Sequence, residues 1–381
     1  MVPLGDHVIG ATSNSISQYL DLLDSDLAAA PFGPPLSTLY IGGGTPSLLS
    51  ANQISGLLDR VESRWGLAPD AEITLEIDPA SFDQPWLVSI LQRGINRCSL
   101  GGQSFNDSVL QSLGRRHSGA QLRQCCAWLR QARAEGFLQS WNLDLIMNRP
   151  GQSGPNWQEE LNNALQEAPP HLSIYDLIVE PGTVFERRLK TDQLTLPDLD
   201  QAAEALTYTH WQLGEAGYGH YEISNWALPG HCSRHNRVYW SGAPWWAFGL
   251  GATAGAGAER LARPRTREAY GQWLLDNRGQ QLPAGIQTGS YPPLADLLLV
   301  GLRRREGVDL AWLELALAGL EKFALAEALR EVLAPWIADG LVALGQGRLR
   351  LLAPEGFNLS NAVLRDLLAW LGDRQWNCAE R

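Results

Sequence analysis

Lysine is almost absent: of thirty basic residues only Lys190 and Lys322 are lysines. Neither stands in a G-x-x-x-x-G-K-[ST] string, which excludes a P-loop nucleotide site. Cysteine is sparse too. Cys98, Cys125, Cys126, Cys232 and Cys378 make an odd number at irregular spacing, with no C-x-x-C. That excludes a disulfide framework and points to free thiols in a reducing compartment. No run of about 20 apolar residues occurs, so no membrane span is expected, although peripheral membrane contact stays open. The opening MVPLGDHVIG lacks the basic and apolar regions of a secretory leader, and a cytoplasmic location is expected. Positive charge is in deficit: 30 Lys and Arg against 41 Asp and Glu give −11. Such a chain repels phosphate backbones, so nucleic acid is not an expected partner. No repeat at solenoid periods is visible.

What is there is enough apolar residue, 45% of 381 positions, for two or three domains or one large barrel with an appendage. Short β-branched or apolar runs alternate with helical patterns as far as Asn225. Strands are expected at Ser37–Ile41, Glu72–Ile77, Asn96–Leu100, Ser140–Met147, Leu172–Val179 and His220–Ile223. Helices are expected at Ser15–Ala30, Ala51–Trp65, Gln84–Arg93, Gly119–Gly136, Asn156–Gln166 and Leu199–Gly217. This alternation implies right-handed βαβ units and a parallel sheet. Polar residues gather at successive strand ends: Gly42–Gly43–Gly44, then Glu76 and Asp78, then Gln103, with Asp144 in the fourth strand. Those ends form the functional face of a (β/α) barrel. Any one of them alone reads equally well as a cap or a loop polar.

Gly249–Gly257 is rich in glycine and alanine, and Pro264–Pro293 reads as a connecting region. Helical patterns follow at Leu294–Arg304, Asp309–Leu320 and Lys322–Ala334, and Leu341–Leu352 reads as a hairpin around Gly345–Gln346–Gly347. Three helices and a hairpin suggest a winged-helix-like module. Glu321, Glu327, Glu331 and Asp339 outweigh Lys322 and Arg330 there, which favours a packing or lid role over groove binding.

The string STLYIGGGTPSLLS is more specific than a glycine turn. It continues in order with LEIDP, GINRCSLGGQSFND, LGRRH, DLI and PGQ, SIYDLIVEPGT and YEISNWA. These seven ordered motifs resemble the coproporphyrinogen-oxidase-like radical SAM proteins, over nearly the whole chain. HNRVYW, His235–Trp240, is similar to the signature of the haem-chaperone branch of that family. The resemblance implies an α/β fold: a partial (β/α)6 TIM-like radical SAM barrel lacking its first strand, with a winged-helix-like C-terminal module. It implies divisions at 1–228, 229–290 and 291–381.

For S-adenosylmethionine the resemblance implies Gly43, Gly44 and Thr45 at the amino and carboxylate end, with Glu76 on the ammonium group. It places Gln103 on the ribose or carboxylate, Arg115 on the carboxylate and Asp144 on the ribose hydroxyls. A zwitterionic nucleoside needs such opposed charges and acceptors. For haem it implies His235 as an axial ligand, with Asn236, Tyr239 and Trp240 shaping the pocket and haem-requiring apoproteins as partners. From the residues alone, a structural turn with a packed Trp is the favoured reading of HNRVYW, and only the family resemblance reverses it. His231 is an alternative ligand, and Cys232 either a second soft ligand or a free thiol. Other readings are an oxygen-independent coproporphyrinogen III dehydrogenase, or a cluster-less barrel that binds haem.

The sequence departs from the family in four places. The C-x-x-x-C-x-x-C string that holds a [4Fe–4S] cluster does not occur in it. The opening residues resemble the segment after that string, so Ser37–Ile41 is expected at an exposed sheet edge. Met147–Asn148–Arg149 stands where aromatic-Gly-Leu is usual before Pro150. Gly102 replaces a usual Val, and Gly255 stands where a histidine is usual.

Overall fold

The computed structural model describes residues 14–191, 193–256, 259–277, 294–316 and 322–373. Seven strands, β1 (Leu36–Ile41), β2 (Leu67–Ile77), β3 (Arg97–Gln103), β4 (Ser140–Met147), β5 (His171–Asp176), β6 (Gly219–Glu222) and β7 (Asn225–Ala227), form one sheet in the order β1-β2-β3-β4-β5-β7-β6. Helix α1 (Asn14–Ala29) precedes β1. The helices between strands are α2 (Ala51–Trp65), α3 (Gln84–Leu91), α4 (Asp107–Ser112), α5 (Gly119–Ala134), α6 (Gly154–Gln166), α7 (Val184–Lys190) and α8 (Leu199–Glu215). Their starts follow from local chemistry. Ser50 and Gln53 close a capping box on α2, and Asp198 and Gln201 do so on α8.

The expected all-parallel sheet holds only in part. β1 with β2 and β4 with β5 are parallel, but β7 runs antiparallel to both β5 and β6. Only Ile223 and Ser224 separate β6 from β7. A parallel return needs a crossover of about a dozen residues, so this pair is a hairpin. Beyond β6, Ile223 N donates to Arg303 O at 2.9 Å and Arg305 N to Tyr221 O at 3.0 Å. That segment covers the β6 edge, whereas β1 stands at the opposite end of the order.

The chain divides into two compact units. The first comprises Met1–Ser99, Ala132–Gln139 and Ser233–Pro292. Its core packs Leu27, Leu57, Val61 and Trp65 against Trp246 and Phe248. The Trp65 ring lies 4.8 Å from Trp246 and 5.4 Å from Phe248. Further elements here are α9 (Arg234–Trp240), the hairpin β8 (Thr253–Ala256) and β9 (Glu259–Ala262), and α10 (Arg267–Asp276). Helix α10 corrects the reading of Pro264–Pro293 as a pure connection; residues 278–293 of that stretch lie outside the described residues. Thr266 caps α10, and Tyr270 is buried. The Tyr270 hydroxyl donates to fully buried Asp26 at 2.7 Å, and Arg263 reaches the same carboxylate with two bonds of 3.2 Å. One carboxylate thus ties α1 to residues 237 positions later.

The second unit comprises Leu100–Gln131, Ser140–Cys232 and Pro293–Arg381. It contains the winged-helix-like module: α11 (Leu294–Gly301), β10 (Val308–Asp309), α12 (Leu310–Ala316), α13 (Lys322–Val332), α14 (Ala334–Ala338), β11 (Val342–Gly345), β12 (Arg348–Leu351), α15 (Glu355–Asn358) and α16 (Ser360–Asp373). The expected hairpin is β11–β12, with Gln346 and Gly347 both at positive φ, as a tight two-residue turn requires. β10 adds a third strand beside β12. Residues 317–320 of the helix expected at Asp309–Leu320 lie outside the described residues.

Glu222, at the end of β6, is fully buried. Burial pushes its carboxyl up to about 8, against the ordinary 4.5, with a smaller opposing pull from the Ser224 amide and Arg303. Its neighbour on β6, His220, stacks on Trp226 at 4.0 Å, and burial lowers it to about 3. The folded chain therefore holds a proton on Glu222 that the unfolded chain has lost between pH 4.5 and 8, so this contribution to stability falls as pH rises through that window. His220 acts oppositely, but only between pH 3 and 6.5. Melting curves between pH 6.5 and 8 should show wild type losing stability with rising pH and Glu222→Gln losing about one proton's worth less slope. Parallel curves would contradict the assignment.

Candidate functional site

The first unit builds its site from β1 and β2. Glu72, Thr74 and Glu76 occupy alternate positions of β2 and so share one face. At the end of the strand, Tyr40 Oη donates to Glu76 Oε1 at 2.8 Å and Gly43 N donates to Glu76 Oε2 at 2.9 Å. A Cβ at Gly42 would lie 2.8 Å from the Glu76 carboxyl carbon and 2.5 Å from the Tyr40 ring, so a side chain there would push this pair out of place. Gly43 and Gly44 sit at φ +79° and +61° with open space beside each. Each Glu76 oxygen keeps a lone pair, and the set fits an ammonium group. Thr45 stands at the start of a 3-10 turn, Pro46–Leu48, and its side chain makes no capping bond there. Ser47 ties that turn to β2 by accepting from Asp78 N at 3.0 Å.

HNRVYW is not a turn but the helix α9. Ser233 caps it, and buried Glu72 accepts from Arg234 N at 3.0 Å and His235 N at 2.9 Å. A carboxylate is favourable at a helix start, where amides lack intrahelical partners. Arg97 NH1 lies 3.8 Å from the same carboxylate. The His235 ring is held on three sides. Nδ1 meets Thr38 Oγ1 at 2.9 Å, Nε2 meets Tyr239 Oη at 2.7 Å, and the ring stacks on Tyr40 at 5.0 Å. Burial lowers its pKa to about 4, so the imidazole is neutral at pH 7. Tyr239 is one helical turn on, on the same face; Asn236 and Trp240, both half-buried, lie about 100° further round. Tyr40 therefore touches both Glu76 and His235, which the sequence assigned to different ligands.

The second unit holds the other predicted residues. Gln103 ends β3, is buried and has φ +64°. Asp144 is half-buried in β4 and accepts from Asn142 Nδ2 at 2.7 Å. Arg115 is exposed on the loop after α4. His231 Nδ1 meets Ser140 Oγ at 3.0 Å, and Cys232 is half-buried. The described thiols do not fit a cluster. Cys98, Cys125 and Cys126 are buried, and burial pushes Cys98 up to about 12, whereas an iron ligand needs a thiolate. Among the described residues no group of three or more His, Cys, Asp or Glu is arranged for a metal ion. Cys378 lies outside the described residues.

No protein-family model matches the chain. Curated relatives do. The haem chaperone HemW of Synechocystis is 39% identical over 301 residues, 78% of this chain and 72% of its own length. That of Mycobacterium tuberculosis is 37% identical over 346 residues, 90% of this chain and 84% of its own. The chain belongs to the HemW family. The radical SAM enzyme coproporphyrinogen III oxidase (HemN) of Escherichia coli superposes with a TM-score of 0.72 at 25% identity, covering 92% of this chain and 83% of that one. The fold is therefore the TIM-like radical SAM fold with its C-terminal module, as the motifs implied. No described helix is long and apolar enough to cross a membrane.

Two of the departures from the family pattern, at Gly102 and at Asn148–Arg149, are accommodated by local contacts. A Cβ at Gly102 would lie 2.7 Å from Leu143 and 3.0 Å from Leu122, so this packing excludes Val. Asn148 keeps positive φ, +56°, which Asn tolerates better than most residues, and its amide donates to Asp176. Arg149 is buried between Glu160, at 3.1 Å, and Ser104 Oγ, at 2.9 Å. Ser104 also donates to Glu160 at 2.5 Å. This clamp braces the turn directly after Gln103. Sequence reasoning missed it, as it missed Thr38 and Glu72. A usable signal for Glu72 was the alternation of polar residues in EITLEI.

Arg149→Leu leaves Glu160 charged and buried, and should cost about 3–5 kcal/mol in urea unfolding. The double variant Arg149→Leu, Glu160→Gln should recover much of that loss. Equal losses in both would show that the ion pair is not what braces the turn.

Proposed function

We propose that this chain binds haem as cargo through His235 and hands it to haem-requiring apoproteins, with Glu76 taking the ammonium group of S-adenosylmethionine as a second ligand. The names of the HemW relatives support the first part. The observation that carries it is the state of His235. An imidazole ligand must be neutral, and a ligating ring is best held by a bond to its other nitrogen. His235 meets both conditions: burial keeps it uncharged, and Thr38 holds Nδ1. We assign the tautomer in which Nδ1–H donates to Thr38; Nε2 then carries the lone pair and accepts from the Tyr239 hydroxyl, 2.7 Å away. Iron therefore reaches His235 from the Tyr239 side. Asn236 and Trp240, on the adjoining face of α9, border that approach.

Support for the second part is the pairing of Glu76 with Gly43 N and Tyr40 Oη beside two open glycines. A carboxylate so held is oriented before a ligand arrives, and an ammonium partner makes charge-assisted bonds to it.

Haemin titrated into the purified chain should give a saturable Soret band at one equivalent. His235→Ala should weaken binding by about tenfold or more and shift the band. The circular dichroism spectrum of the variant should match wild type. Unchanged affinity with an unchanged Soret maximum would overturn His235 as the ligand.

A further inference from the structure

Next to His235 a row of side chains runs outward within the first unit. The Tyr239 ring meets the Trp245 ring edge-on at 5.0 Å, and the Arg260 guanidinium lies over Trp245 at 5.0 Å. Trp245 is fixed from three directions. Its backbone exchanges two bonds with Gly255, 2.9 and 3.0 Å, and its Nε1 donates to Thr253 O at 2.8 Å. A Cβ at Gly255 would lie 2.3 Å from the ring, so the indole lies directly on β8. Arg260 is the cross-strand partner of Gly255 in the β8–β9 hairpin, which brings its guanidinium to the same indole. Arg260 is exposed. The arginines of α9 are placed differently. Arg234 is bound to Asp70 at 3.2 Å, and Arg237 is two residues from His235, about 200° round the helix.

We propose that Tyr239, Trp245 and Arg260 form the docking face for a planar metalloporphyrin bearing carboxylates: the Tyr239 hydroxyl leaves Nε2 as the iron arrives, and Arg260 takes a propionate. This rests on the reading of His235 as the haem ligand. The exchange needs no net proton transfer. The Nε2 lone pair passes from the phenol hydrogen to the metal, the phenol hydrogen turns to solvent, and Nδ1–H stays on Thr38. Trp245 is a positioning residue that keeps both the phenol and the guanidinium on one side of the hairpin. Guanidinium suits the second role because its fork of donors matches a carboxylate.

Three variants and two probes, haemin and haemin dimethyl ester, test this by Soret titration. Tyr239→Phe removes the competing donor and should bind haemin about threefold to tenfold more tightly. Arg260→Gln should bind haemin about fivefold to tenfold more weakly, yet bind the dimethyl ester, which has no carboxylates, as wild type does. His235→Ala separates the two levels of the argument. If it binds haemin like wild type, the reading of His235 fails. If it loses binding while Tyr239→Phe is no tighter, or Arg260→Gln weakens both probes equally or neither, the docking face alone is wrong. Wild-type melting temperatures for all three exclude misfolding as the cause.

Discussion

The candidate site depends on one buried carboxylate. Glu72 stands on β2, is almost fully buried, and accepts from the backbone of Arg234 and His235 at the start of α9. A buried charge is tolerable only when partnered. Here the partners are helix amides, which otherwise lack acceptors, together with Arg97. Because the bond runs to the backbone of His235 itself, the ring is carried onto β1, where Thr38 and Tyr40 receive it. Glu72 thereby fixes the start of this seven-residue helix on the sheet.

Tyr40 gives that placement a consequence. Its hydroxyl orients Glu76, and its ring stacks on His235. The contact proposed for an ammonium group, on β2, and the ligand proposed for iron, on α9, are thus one side chain apart, with Tyr40 of β1 between them. Sites supported on strands hold geometry better than sites on loops. Gly42 completes the arrangement, since any side chain there would displace the Glu76 carboxylate.

Polar networks elsewhere do similar work. Asp26 joins α1 to α10 and the segment after β9 within the first unit. In the second unit, Arg149 and Glu160 brace the turn after Gln103, where a glutamine is held at positive φ. Such backbone is unfavourable for a side-chain-bearing residue and persists only when neighbours impose it. Asn148 and Arg149, which depart from the family pattern, both carry side-chain bonds within this unit.

By itself the sequence determined the class and much of the layout. Periodicity placed β4 and α2 at their observed bounds, and the seven motifs named the radical SAM family, because hydrophobic spacing and glycine-rich turns are local properties. It also singled out Glu76 and His235 from their motif context. It could not show that YEISNWA folds back as an antiparallel hairpin, since a two-residue turn rather than the apolar pattern decides that. Nor could it show that HNRVYW is a helix whose histidine has both ring nitrogens occupied. Only tertiary structure decided the long-range partners of His235. Thr38 lies 197 positions away, and Glu72 lies 163 away. Bonds across such separations are chosen by how strands and helices pack, and no local pattern records them.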